Sequence, residues 1–119
     1  MSSIVLPPTI SVREGNTNQI VMQLLADDDP IDLTTDIDHI EIELRDSRRN
    51  TYNYSSADAS PKVGISDASN GKVYLNPPSS LFKAVCSPYL GYVLIFAYDG
   101  TWYSVPEETE FLIQVRKNY

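Results

Sequence analysis

The chain has 119 residues, 42% of them hydrophobic and 21% charged, which fits one ordinary globular domain with enough apolar material for a core without disulfides. Nine basic against sixteen acidic residues leave a net charge of −7, so phosphate backbones, which are bound through lysine and arginine, are repelled and nucleic acid is not expected as a partner. Cys86 is the only cysteine, which excludes an intrachain disulfide and cysteine-based metal fingers.

The N-terminus lacks the basic start and long apolar run of a secretory leader, and no later apolar run approaches the ~20 residues of a membrane span. Synthesis in a cytoplasm with no membrane partner is expected, and release by cell lysis, as of virus particles, is compatible with it. Ile4, Val5 and Leu6 form a short apolar patch stopped by Pro7 and Pro8, which lack the N–H that a sheet ladder needs. Residues 1–9 therefore read as an extended arm, folded back as an edge strand or reaching into a neighbouring subunit, ahead of one domain over residues 10–119.

Ile10 and Val12 alternate with polar residues before a turn at Glu14-Gly15-Asn16. Two longer alternating runs follow, Gln19 to Leu25 and Asp38 to Arg45, separated by the acidic stretch Asp27 to Thr34. Period-two alternation places Ile20, Met22 and Leu24, then Ile40, Ile42 and Leu44, on a buried sheet face and leaves His39, Glu41 and Glu43 toward water. Tyr52 and Tyr54 mark a short edge strand, and Val63 and Ile65 another. Asn70-Gly71 signals a tight hairpin into Lys72–Leu75, since Asn-Gly supplies the positive φ angles such turns need. Ser79 to Val85 is expected to make one helical turn capped by Ser79 or Ser80, with Leu81, Phe82 and Val85 covering an open end of the core.

Tyr89 to Asp99 is the most apolar stretch, with Tyr92, Leu94, Phe96 and Tyr98 on one face and Val93, Ile95 and Ala97 on the other. Both faces call for cover, from a second sheet or from another chain. Asp99-Gly100 predicts a second hairpin, Trp102 and Tyr103 begin the return strand, Pro106 interrupts it, and Phe111, Ile113 and Val115 finish the chain in alternation. Many short strands punctuated by Gly, Pro and Asn describe an all-β sandwich or small barrel.

Few residues suggest chemistry. Asp27, Asp28, Asp29, Asp32, Asp36 and Asp38 could offer oxygen ligands to calcium, but they do not follow the EF-hand spacing, and a solvated turn accounts for them. His39, the sole histidine, has no visible partner or cleft for proton transfer. Cys86 reads as a small buried hydrophobe. No catalytic residue, metal site or cofactor is expected. Exposed aromatics can stack on sugars or anchor protein interfaces, which singles out Trp102 and Tyr103 for a carbohydrate-binding alternative.

The order of motifs is more particular than the composition. Gln19–Leu25, then Asp28-Asp29-Pro30-Ile31-Asp32-Leu33-Thr34, Ile40-Glu41-Ile42, Asn70-Gly71-Lys72-Val73-Tyr74-Leu75 and Glu110-Phe111-Leu112-Ile113-Gln114-Val115 resemble the immunoglobulin-like N-terminal domain of tailed-phage baseplate upper proteins. Asp29 and Thr35 stand where that family commonly carries glycine. The resemblance implies an immunoglobulin-like antiparallel β-sandwich of about seven to eight strands. It also implies a non-enzymatic virion component of baseplate, tail, neck or capsid surface, assembled as a homo-oligomer with other virion proteins. Contacts are then expected from Ile4, Val5 and Leu6 and from the strand around Val93 and Ile95. The alternative is a carbohydrate-binding module for host attachment.

Overall fold

Residues 3–117 are described by the computed structural model. The strands in chain order are β1 (Ser3–Leu6), β2 (Thr9–Arg13), β3 (Ile20–Ala26), β4 (Asp29–Pro30), β5 (Ile37–Arg45), β6 (Thr51–Ser55), β7 (Val63–Asp67), β8 (Lys72–Leu75), β9 (Tyr89–Ala97), β10 (Trp102–Val105) and β11 (Phe111–Arg116), with 3-10 turns at Ala68–Asn70 and Ala84–Cys86. They form two sheets. The first runs β1-β3-β8-β7, with β4 also on β3; the second runs β2-β11-β9-β5-β6, with β10 also on β9.

The alternation read from the sequence sets which side chains face the partner sheet. Met22 and Leu24 of β3 meet Ile40, Ile42 and Leu44 of β5 and Val93 and Ile95 of β9 in one buried cluster. Each such side chain contributes on the order of 2 kcal/mol of burial. The doubly apolar strand β9 is central in its sheet: β5 pairs along one edge, and β11 and β10 share the other.

This strand order is that of an immunoglobulin-like sandwich, in which the chain's first strand changes sheets and the last lies beside it. Tyr89, at the start of β9, supports the same architecture. Its hydroxyl donates to the Leu81 carbonyl at 2.6 Å and accepts from the Lys83 N–H at 3.1 Å, while Phe82 packs edge-on against its ring. That is the tyrosine corner of such sandwiches. Two residues on, where antibody domains carry a cysteine of the inter-sheet disulfide, this chain has Gly91. A Cβ there would lie 2.5 Å from Leu44 and 2.8 Å from Phe111, so apolar side chains occupy the space and the sheets are joined by packing. Cys86 is buried in its 3-10 turn.

Three expectations are corrected. Eleven strands are present among the described residues where seven to eight were expected, because Pro7-Pro8 splits the first strand into β1 and β2, the segment from Pro106 separates β10 from β11, and the acidic stretch adds the two-residue β4 against β3. The sandwich is also not wholly antiparallel: after leaving the first sheet, the chain lays β2 parallel to β11. Finally, two 3-10 turns, Ala68–Asn70 and Ala84–Cys86, stand where at most one short helical turn was expected, and the second is preceded by Lys83 with no side-chain cap. Leu81 and Phe82 do cover the core, but Val85 points to solvent. Glu14 takes the capping part instead, its carboxylate accepting from the Ala84 N–H at 3.0 Å.

The Asn70-Gly71 hairpin forms with a different turn. Asn70 ends the 3-10 turn, and only Gly71 has a positive φ, 67°. A Cβ on Gly71 would approach the Leu24 carbonyl to 2.7 Å, so both backbone angle and space require glycine here.

Candidate functional site

The expected contact residues divide between core and surface. Ser3–Leu6 is an edge strand paired antiparallel with β3, from Ser3 against Ala26 to Leu6 against Gln23. Pairing turns Val5 into the core and leaves Ile4 and Leu6 outside, 40% and 36% exposed. Val93 and Ile95 are wholly buried between the sheets. Val5, Val93 and Ile95 are therefore packing residues, unavailable to a partner, because the inward half of each alternation faces the opposite sheet. Val21, 45% exposed on β3, extends the outer apolar group of Ile4 and Leu6. An open depression of about 480 Å³ lies there, bounded by Leu6, Pro7, Pro8, Val21 and Gln23 among others.

A second surface is built on the other sheet, at the β9–β10 hairpin. The Gly100 N–H donates to the Ala97 carbonyl and the Ala97 N–H to the Thr101 carbonyl, which closes the turn and sets Trp102 opposite Phe96. A register shift between Ile37 and His39 then sets His39 opposite Phe96 on its other side. The outcome is a row of three rings across three strands. His39 stacks on Phe96 with centroids 4.4 Å apart and planes 6° from parallel, and Phe96 meets Trp102 at 6.4 Å. Such pairs add about 0.5–1.5 kcal/mol beyond area burial. Trp102 is 61% exposed and Tyr98, at the hairpin tip, 73%. Tyr103, opposite Ile95, points to the other side of the strand at the rim of the sandwich and is exposed as well.

Carboxylates flank these rings. His39 Nδ1 lies 2.7 Å from Asp38 Oδ2, and Nε2 3.2 Å from Glu41 Oε2. A neutral imidazole carries one N–H and donates to one of them; the protonated ring donates to both. Glu41 also accepts from the Asn53 amide at 3.1 Å. Further along the same face the Tyr92 hydroxyl donates to Glu43, and that bond, with burial behind it, raises the Tyr92 phenol above its ordinary value. A cavity of about 110 Å³ lies beside it, between Glu43, Arg45, Tyr92 and Glu110. It is too small for more than a few waters.

The acidic stretch folds as turns. Asp27, Asp28 and Asp36 have positive φ. Asp32 accepts from the Thr34 N–H at 2.9 Å and its hydroxyl at 2.5 Å, and these bonds lower its carboxyl. Among the described residues no group of three or more His, Cys, Asp or Glu side chains is arranged to hold a metal ion.

Sequence reasoning passed over Asp46. It is buried at 5% exposure, and it accepts from the N–H groups of Arg48 and Asn50 (each 2.9 Å), the Asn50 amide (3.0 Å) and the Tyr52 hydroxyl (2.9 Å). Burial raises its carboxyl, but these four bonds outweigh it and hold the group below the ordinary range. The role is structural: Asp46 folds the β5–β6 corner. A two-residue Asp99-Gly100 turn would set Trp102 opposite Ala97; the longer bulged turn, with the Gly100 N–H and Thr101 carbonyl both bonded to Ala97, sets it opposite Phe96 instead. The His39 stack depends on pairing between distant strands and on a bulge, which leave no local signal.

No protein-family model matches the chain, and comparison with curated proteins yields no match. Solved structures do resemble it. One chain, from a structure described as "Structural basis of T cell specificity and activation by the bacterial superantigen toxic shock syndrome toxin-1", aligns over 96% of this chain and 98% of its own, with a TM-score of 0.52 and 16% identity. The two chains thus share a fold over nearly their whole lengths.

Proposed function

We propose that the chain is a non-enzymatic assembly module that works by binding other proteins. The observation that carries this reading is the placement of large apolar side chains on the outside of both sheets: Ile4, Leu6 and Val21 on one, Tyr98 and Trp102 on the other. A domain whose core is already complete gains little internally from the exposed parts of these groups, whereas contact surfaces do. The motif order from Gln19 to Val115, which resembles the phage baseplate family, supports a virion as the setting, with other virion proteins and copies of the chain as partners.

The test pairs oligomer mass with recovery of partners from particles. Ile4→Ser with Leu6→Ser should weaken assembly without unfolding the monomer; Val5 stays, because it belongs to the core. A chain that is monomeric at every concentration and recovers no virion protein would sink the reading. The exposure of Trp102 and Tyr98 also favours a second reading, binding of saccharides on an aromatic platform. Glycan-array binding lost on Trp102→Ala would establish it.

A further inference from the structure

The hairpin end combines an open sheet edge, exposed rings and one sign of charge. Among the described residues β10 pairs with β9 alone. In an antiparallel ladder, hydrogen-bonded pairs alternate with non-bonded ones. Since Ala97 and Thr101 are bonded, the bonded pairs that follow are Ile95 with Tyr103 and Val93 with Val105. The N–H and C=O groups of Trp102 and Ser104 then point away from β9. β1 passes nearby but pairs with β3, and Ser3 Oγ accepts from the Glu107 N–H just beyond β10. Among the described residues no strand pairs with this edge over Trp102–Ser104.

Charge decides what fits. The Tyr98 N–H donates to the Asp36 carbonyl at 3.2 Å, so the hairpin and the stretch before β5 meet. Residues 26–43 and 98–110 hold twelve of the sixteen acidic residues and none of the nine Lys and Arg. Asp99 precedes the open edge, and Glu107 and Glu108 follow it. Two copies paired edge to edge and antiparallel would bring Asp99 of each against Glu107 and Glu108 of the other, which like-charge repulsion disfavours.

We propose that β10 takes an extended, arginine-bearing segment of a partner protein as an added strand. The segment's backbone bonds the outward groups of Trp102 and Ser104, and its guanidinium groups lie over Trp102 and against Asp99, Glu107 and Glu108 at the two ends of the edge. Strand addition draws affinity from backbone bonds and selectivity from alternate side chains, and arginine stacks on an indole while pairing with acids. The inference rests on the assembly reading above and supplies the chemistry of the partner.

The test uses the full chain and blocked peptides of alternating arginine and valine. Trp102 is the sole tryptophan, so its emission reports binding to wild type, and anisotropy of labelled peptide reports the variants. Saturable binding is expected, weakened about tenfold or more when the peptide backbone is N-methylated at alternate residues, when glutamate replaces arginine, or in Trp102→Ala. Ser104→Pro should do the same, because its N–H faces outward and proline removes no bond to β9. Binding that survives N-methylation is charge attraction alone and overturns the proposal; that arm stands even if the proline variant fails to fold. A concentration-dependent dimer lost in Ser104→Pro, without peptide binding, overturns it in favour of a second copy on the edge. Virion partners recovered at the wild-type level by folded Ser104→Pro overturn the site and leave the assembly reading standing. A wild-type chain that recovers no protein partner removes that reading and this inference with it.

Discussion

Asp46 and Asp99 both sit at turns beside aromatic side chains, yet they serve different ends. Asp46 is buried with four internal donors, two backbone and two from Asn50 and Tyr52. Asp99 is exposed and accepts from the hydroxyl and N–H of Thr101, at 2.6 and 2.9 Å, which lower its carboxyl. The rings follow suit: Tyr52 and Tyr89 stand 6.0 Å apart beneath the β5–β6 corner, whereas Tyr98 and Trp102 face solvent. A carboxylate whose lone pairs are used within the chain organises the fold; carboxylates left to water beside exposed rings are free to meet a partner.

The widest separation between the two regions should come from truncating each acid. Asp46→Ala removes four bonds to a carboxylate whose donors lie on exposed Arg48 and Asn50 and half-buried Tyr52, and a hydrogen bond to a charged group contributes about 1.5–3 kcal/mol before water replaces it. With relaxation and entry of water, a loss of about 2–4 kcal/mol in urea unfolding is expected, read as a lower midpoint at unchanged slope. Asp99→Ala should stay under about 1 kcal/mol, the scale of an exposed turn bond. Equal losses would show that the hairpin is as much part of the framework as the corner.

Glycines sharpen the same contrast at a smaller scale. Gly91→Ala pushes a methyl into the Leu44 and Phe111 side chains and to 3.0 Å from the Glu43 carbonyl, an overpacking worth about 1–3 kcal/mol. At Gly100 nothing lies within 4 Å, and the penalty of alanine is confined to its φ of +90°, about 1 kcal/mol. Calorimetric midpoints of the two variants check the order, and a larger loss at Gly100 would reverse it.

How far these regions could be read in advance follows from where their information lies. The buried faces of β3, β5, β9 and β11 were legible because period-two alternation is local. The turns at Gly71 and Gly100 were legible because few residues tolerate positive φ. Val93 and Ile95 read as contact candidates because a strand apolar on both faces does not reveal which face meets the second sheet. Asp46 escaped notice because a buried aspartate that gathers donors from its own loop looks, in sequence, like any polar residue of a turn. The ring row was not legible: a two-residue Asp99-Gly100 turn would set Ala97 against Trp102, the bulged turn sets Phe96 there, and His39 arrives from fifty-odd residues earlier through a bulged register.

Acid should discriminate the two regions further. Because Asp46 is held below the ordinary aspartate value of about 4, the folded state binds fewer protons there than the unfolded state. Its stabilising contribution is complete above that value and is lost as pH falls through the lowered one. Tyr52 works in the opposite sense. Burial, and then its bond to Asp46, push its phenol up, so its contribution holds below the ordinary value of about 10 and is lost as pH rises through the raised one. Asp46→Asn should flatten the acid limb of stability against pH, whereas Asp99→Asn should barely change it; identical profiles would put the acid sensitivity elsewhere.

The smallest effect on stability, and the most informative about function, is expected at Trp102. Its indole is mostly in water and touches the fold chiefly through Phe96 at 6.4 Å. Trp102→Ala opens no cavity, strands no polar group and removes one exposed ring contact, so unfolding should shift by about 0.5 kcal/mol. Phe96 keeps its closer stack with His39 on the opposite side, which limits any propagation into β9. Folding and binding should thus come apart at this residue, near-native stability being accompanied by loss of partner. If Trp102→Ala instead cost as much as Asp46→Ala, the ring row would be part of what holds the second sheet together, and its exposure would no longer argue for a contact surface.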